Sequence, residues 1–160
     1  MNENTGLTVS SERIELINSY GPYNHAVWES NGIMVTNEER LSGRGDLLVN
    51  DIRKLIYDNF TQDEIEKASI LDVGCYDGWI LHKLSDIPFK KLVGIEPREK
   101  NIIKGQKIRE LLGIDTRAEF RLGSIDELKD EIFDVVICTG LLHHLESISQ
   151  AIQNLSRVCK

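Results

Sequence analysis

The chain has 160 residues, with 26 acidic against 19 basic side chains, a formal net charge of −7 and 41% hydrophobic residues. That balance fits one folded domain or slightly more and excludes wholesale disorder, and no apolar run reaches the ~20 residues of a membrane helix. The start MNENTGLTVSSERIELI lacks the basic and apolar segments of a secretory leader, and three cysteines (Cys75, Cys138, Cys159) without a C-x-x-C pair support neither a disulfide framework nor a zinc site.

The reading is therefore a cytoplasmic protein with no membrane partner and no metal. Net acidity disfavours a broad phosphate-binding surface, so nucleic acid is a disfavoured partner. Arg98, Lys100, Lys104, Lys107 and Arg109 fall in one stretch diluted by Glu99 and Glu110 and read as a solvated helix face.

In chain order, residues 1–9 are polar. Ile14, Leu16 and Ile17 predict a short amphipathic helix from Ser10 to about Ser19, closed by Gly21-Pro22. Tyr20, Tyr23, His25 and Trp28 then cluster without a period, as either a lid over a site or a satellite hydrophobic cluster. Residues 44–60 carry Leu47, Leu48, Ile52, Leu55, Ile56 and Phe60 at helical spacing, and Thr61 with Glu64 forms a capping box for a brief helix. Residues 1–43 thus form an N-terminal arm and candidate substrate cover, ahead of a domain over residues 44–160.

From residue 69 the pattern changes. Ser69–Val73, Lys91–Glu96, Ala118–Leu122 and Phe133–Cys138 read as strands, FDVVIC being the strongest buried-strand signal. Helices are predicted over 78–86, over 98–112 ending at Gly113, as a turn near 125–131, and over 146–158. Strand and helix alternate four times, which implies parallel strands joined by right-handed crossovers, an open α/β sheet covered on both faces.

Such sheets bind ligands at the carboxyl ends of their strands. The first strand ends in LDVGCYDG, whose glycines are spaced G-x-x-x-G, with Tyr76 where a dinucleotide fingerprint would have its second glycine. Gly78 opens a helix whose amides favour anionic groups. Glu96, ending the second strand, is placed to accept hydrogen bonds from ribose hydroxyls.

LDVGCYDGW, VGIEP, FRLGSIDEL and FDVVICTGLLHHL, in that order, resemble the motif series of class I S-adenosylmethionine-dependent methyltransferases of the general small-molecule branch (types 11 and 12), over about residues 44–158. The resemblance implies a Rossmann-like sheet of order 3-2-1-4-5-7-6, of which 3-2-1-4 falls within this chain. It implies S-adenosyl-L-methionine as cofactor and S-adenosyl-L-homocysteine as product. Asp72 and the loop of Gly74, Cys75, Tyr76 and Gly78 would surround the methionine portion and ribose. Glu96 would hold the ribose hydroxyls, Pro97 would lie near adenine, Ser124 and the Ile125 amide would meet the adenine edge, and Thr139 and Gly140 would sit beside the sulfonium. Tyr76 for glycine and Ser124 for the family's aspartate are the two departures.

Methyl transfer needs alignment first, and a base only for hydroxyl or protonated amine acceptors. Thr139-Gly140-Leu141-Leu142 is not the Asn/Asp-Pro-Pro-aromatic motif of adenine and glutamine enzymes, and neither Cys75 nor Cys138 has the context of a cytosine C5 nucleophile. His143 and His144 are the candidate catalytic pair, with packing beside the cofactor as the alternative role. His82 reads as surface.

A small molecule is the expected acceptor. The stretch VGIEPREKNIIKGQKIRELLGI also resembles tRNA wobble-uridine carboxymethyltransferases, which gives a second reading. An inactive S-adenosylmethionine-binding module is a third, and a dinucleotide oxidoreductase comes last. The resemblance implies a fifth strand, another helix and an antiparallel hairpin beyond Lys160. A fragment lacking them is expected to leave the fourth strand under-covered or to self-associate through its edge.

Overall fold

Three aliphatic runs and the segment EFRL pair in parallel in the computed structural model, which describes residues 10–20, 28–30, 33–34, 44–128 and 131–160. Two short strands, β1 (Glu29–Ser30) and β2 (Ile33–Met34), form an antiparallel ribbon. The main sheet contains β3 (Ser69–Val73), β4 (Lys91–Glu96), β5 (Glu119–Leu122) and β6 (Val135–Ile137) in the order β5-β4-β3-β6. Counted from β3, that is the 3-2-1-4 order expected of a Rossmann-like sheet. Tyr23, His25 and the Gly21-Pro22 stop lie outside the described residues.

The two central strands, β3 and β4, are buried on both faces because alternate side chains enter two separate cores. Ile70, Leu92 and Ile137 point into the larger one. Helices α2 (Arg44–Asn59), α4 (Trp79–Lys83) and α5 (Glu99–Leu112) close it with Val49, Ile52, Ile56, Leu81, Ile108 and Leu112. Leu71, Val73, Val93 and Ile95 point the other way, against Leu128, Phe133 and Val158, the last from α6 (Ile148–Val158). Burying each such side chain contributes about 1.5–3 kcal/mol. Helix α1 (Ser11–Ser19) lies against α5, and Ile14 and Tyr20 reach the larger core. No helix among the described residues is long and apolar enough to cross a membrane.

Local signals place several boundaries. Thr61 and Glu64 form the capping box of α3 (Gln62–Ile65). Gly113, at φ 65°, ends α5 in the left-handed conformation that glycine adopts without penalty. Two expectations need correction. The helix read over 78–86 stops at Lys83, where the Leu84 amide donates to the Ile80 carbonyl and a turn begins. The strand read over 133–138 shrinks to Val135–Ile137; at Asp134 the carboxylate accepts the Ser69 amide at 2.8 Å and the backbone amide donates to the Ser69 carbonyl at 3.0 Å, outside the regular ladder. Phe133 pairs instead with Cys159 in a parallel bridge, donating to the Val158 carbonyl and accepting from the Lys160 amide. Beyond that bridge, the outer edge of β6 has no strand partner among the described residues.

Candidate functional site

The register of the two central strands builds the site. Asp72 pairs with Gly94 and Val73 with Ile95, and the ladder continues past the strand end, where the Gly74 and Cys75 amides both donate to the Ile95 carbonyl at 2.9 and 3.1 Å. The loop after β3 therefore begins directly beside Glu96. The Glu96 carboxylate, 4% exposed, accepts the Tyr76 amide at 3.2 Å on one oxygen, and the Arg98 amide at 3.2 Å and the Asn101 side-chain amide at 2.8 Å on the other. Three donors fix its plane at the mouth of the loop.

The loop takes a left-handed course at Gly74 (φ 72°), Tyr76 (φ 55°) and Gly78 (φ 82°). For a tyrosine that conformation is strained by about 1–2 kcal/mol. It is offset by the bond to Glu96 and by Lys104, whose Nζ lies 3.0 Å from the Tyr76 hydroxyl and 4.3 Å from the ring centroid.

Helix α5 braces the loop from behind. The Arg109 guanidinium donates to the Asp77 carbonyl at 2.8 Å and stacks 4.2 Å over Phe120. Lys104 and Arg109 are both buried, while Arg98, Lys100 and Lys107 are exposed, so the reading of this basic stretch as a solvated face fails at those two positions and holds at these three. At Gly105 a Cβ would come within 2.0 Å of the Asp77 carbonyl oxygen, so the helix backbone itself seats against the loop. Gly105→Ala is expected to destabilise the fold by about 1–3 kcal/mol and to loosen the loop, although alanine raises intrinsic helix propensity; a thermal melt against wild type checks the sign.

The strand ends and the loop enclose a cleft of about 530 Å³. Of the residues singled out from sequence, it brings together Asp72, Gly74, Cys75, Tyr76, Glu96, Pro97, Thr139, Gly140 and His144. Gly78, Ser124, Ile125 and His143 lie outside its lining. Gly78 sits at the start of α4, a Cβ there falling 2.2 Å from Phe120. Ser124 and Ile125 lie on the 3-10 turn after β5, where the Glu127 carboxylate accepts the Ser124 amide at 3.0 Å. His143 and His144 are exposed on the 3-10 turn after β6, their rings 3.9 Å apart.

Sequence reasoning missed Gly45, Leu48, Trp79, Ile80, Arg98 and Leu141 in the cleft wall. The α2 stripe signalled a core face for Leu48, but nothing local showed that its first turn reaches the loop. A Cβ on Gly45 would sit 2.6 Å from the Trp79 ring, so this glycine lets helix and indole meet.

Charge in the cleft is mostly negative. Asp72 is 1% exposed, and its Oδ2 has no hydrogen-bond partner. Burial, reinforced by Glu96 and Asp77, pushes its carboxyl up to about 7. Burial likewise raises Asp77, against the pull of Lys104. Cys75 is buried behind the loop in the space left by Gly94, where a Cβ would meet its Sγ at 2.7 Å, and burial raises its thiol. A thiol so raised is a weak nucleophile, and its side chain fills the space beside Gly94. His82 is half-buried rather than on the surface, its ring stacked 5.2 Å from Trp28, and burial pulls it down to about 4.

Comparison with known proteins adds a family to this geometry. A family model described as a methyltransferase domain matches residues 64–160. A tRNA U34 carboxymethyltransferase of Vibrio campbellii is 29% identical over 133 residues, 82% of this chain and 38% of that protein. One of Aliivibrio fischeri is 28% identical over 151 residues, 92% of this chain and 43% of that protein. The chain thus spans about two fifths of the length of these curated relatives. Among solved structures, the N-terminal domain of EvdMO1 with SAH bound superposes with a TM-score of 0.68 at 22% identity, covering 98% of this chain and 64% of that one. Magnesium protoporphyrin IX methyltransferase of Synechocystis PCC 6803, with bound SAH, gives 0.60 at 18% identity, covering 93% and 62%. At these identities the structures share the fold.

Proposed function

From a chain that belongs to the methyltransferase-domain family, we propose a cleft that binds S-adenosylmethionine and aligns an acceptor for methyl transfer, with S-adenosylhomocysteine as product. The observation that carries this reading is the pair of neighbouring strand ends: an oriented, buried carboxylate at Glu96 beside a loop in left-handed conformation.

The residues present fit an adenosyl sulfonium. Glu96 offers an anion to a vicinal diol, and Gly74 supplies the left-handed turn that starts the loop beside it. The orphaned Oδ2 of Asp72 asks for a donor or a cation, which a methionine ammonium beside a sulfonium would supply. When bound, the cofactor provides a methyl carbon on a strong leaving group. The chain's own work is then binding, orientation and exclusion of water. Pro97 flanks the adenine side, while Thr139 and Gly140 form the opposite wall. Holding donor and acceptor in line contributes about 7–11 kcal/mol to lowering the barrier. His144, exposed in the cleft lining, would be the group to take a proton from a hydroxyl or ammonium acceptor. A small molecule is the acceptor class that the net acidity favours.

A second reading is carboxymethyl transfer to a tRNA wobble uridine, which the names of the curated relatives fit. The cleft wall weighs against it. A carboxylated donor carries an extra anion, and among the described residues of the lining Arg98 is the one Lys or Arg, against three carboxylates, Asp72, Asp77 and Glu96.

Titration calorimetry separates the readings. S-adenosylmethionine and S-adenosylhomocysteine are expected to bind, and NAD is not. Tighter binding of carboxy-S-adenosylmethionine than of S-adenosylmethionine would transfer the assignment to the second reading, and binding of NAD alone would overturn both.

A further inference from the structure

Asp77 is buried in the middle of the loop yet offers little to a ligand, because its own chain occupies it. Its Oδ2 accepts the Trp28 indole N–H at 3.2 Å, its Oδ1 accepts the Trp79 amide at 3.3 Å, and its carbonyl accepts Arg109. The residues on either side, Tyr76 and Gly78, are both in left-handed conformation. Holding Asp77 at three points is thus what holds the turn between them. Two of those holds come from α4 and α5. The third comes from the N-terminal segment, 49 residues away in sequence.

Trp28 is fully buried, at 0% exposure, with one face stacked on His82 at an interplanar angle of 21°. Packing alone would account for its burial. It does not account for the indole donor being aimed at a loop carboxylate that also caps the first amide of α4. The antiparallel ribbon of β1 and β2 starts at the next residue, Glu29, so the same indole fixes the base of that ribbon to the cofactor loop.

We infer that Trp28 is a positioning residue of the donor site, acting through Asp77 to hold the loop in its ligand-ready form and to tie the N-terminal segment to it. The inference rests on the assignment of the cleft to an adenosyl cofactor. Trp28→Phe keeps the stack and drops the donor, leaving a buried carboxylate short of one partner.

The test combines calorimetry with S-adenosylhomocysteine and ¹⁵N NMR. The chain has 2 tryptophans, so its spectrum holds two indole N–H signals, and the one missing in Trp28→Phe belongs to Trp28. In wild type that signal is expected to shift on saturation with S-adenosylhomocysteine. Trp28→Phe, folded by circular dichroism, is expected to bind about tenfold more weakly, the loss of roughly one net hydrogen bond. A folded variant that binds within about twofold of wild type, or a Trp28 signal that stays fixed while that of Trp79 moves, overturns the inference. Should Trp28→Phe not fold, Trp79→Phe supplies the assignment and the wild-type titration decides. Absence of binding heat in wild type would instead remove the cofactor assignment, and this inference with it.

Discussion

Glu96→Ala is expected to weaken S-adenosylhomocysteine binding by about a hundredfold or more. A carboxylate gripping two ribose hydroxyls makes two hydrogen bonds to a charged acceptor, each contributing roughly 1.5–3 kcal/mol, and 1.4 kcal/mol is a factor of ten. The arrangement around Glu96 raises the stake. Its oxygens already receive the Tyr76 and Arg98 amides and the buried Asn101 side chain, so the carboxylate is oriented before any ligand arrives and little ordering entropy opposes binding. Asn101→Ala should fall between wild type and Glu96→Ala, since it leaves the anion and removes one of the groups that aim it. Calorimetry on variants shown to be folded by circular dichroism reads both effects. Binding of S-adenosylhomocysteine by Glu96→Ala at wild-type strength would sink the assignment of this cleft.

Glu96 was legible in the sequence because its signal is local: a short aliphatic run, an acid at its end and a proline after it. The same holds for the capping box at Thr61 and Glu64 and for Gly113 as the end of α5, each readable within a few residues. The residues that brace the loop gave no such signal. Lys104, Gly105 and Arg109 occupy one side of a helix whose apolar periodicity is weak, and what buries them is Tyr76 and Asp77, about 30 positions away. A basic residue with a distant partner looks the same in sequence as one facing water. His82 failed in the same way, because Trp28 covers it from across the fold. The FDVVIC run shows the opposite error. Its hydrophobicity is real and Phe133 is buried, yet the Asp134 carboxylate takes the Ser69 amide and hydroxyl while its own amide goes to the Ser69 carbonyl, which ties this residue to β3 outside the regular ladder. Periodicity reports which side chains seek a core; it does not report which backbone groups find partners.

Asp72→Asn should stabilise the ligand-free protein near pH 8 while weakening its grip on the donor. The buried Asp72 carboxyl is raised from 3.8 to about 7, with burial the leading cause and Glu96 and Asp77 adding to it. In the unfolded chain the group ionises freely above pH ~4. Between that point and about 7 the folded state holds the proton that the unfolded state has released, so stability falls as pH rises through this window and stays reduced above it. The penalty is at most ~4 kcal/mol. Asparagine carries no charge to desolvate, so the melting temperature of the variant is expected to exceed that of wild type at pH 8, by a margin that narrows toward pH 4. Binding should run the other way. A cationic donor favours the ionised form, so wild-type affinity for S-adenosylmethionine is expected to climb as pH passes through about 7, whereas that of Asp72→Asn stays nearly level. Near neutrality the wild type must also release a proton on binding, and its calorimetric enthalpy should vary with the ionisation heat of the buffer. The variant's should not. A wild-type enthalpy independent of buffer, together with an Asp72→Asn protein that melts below wild type at pH 8, would show that this carboxylate is neither the strained group nor the cation's partner described above.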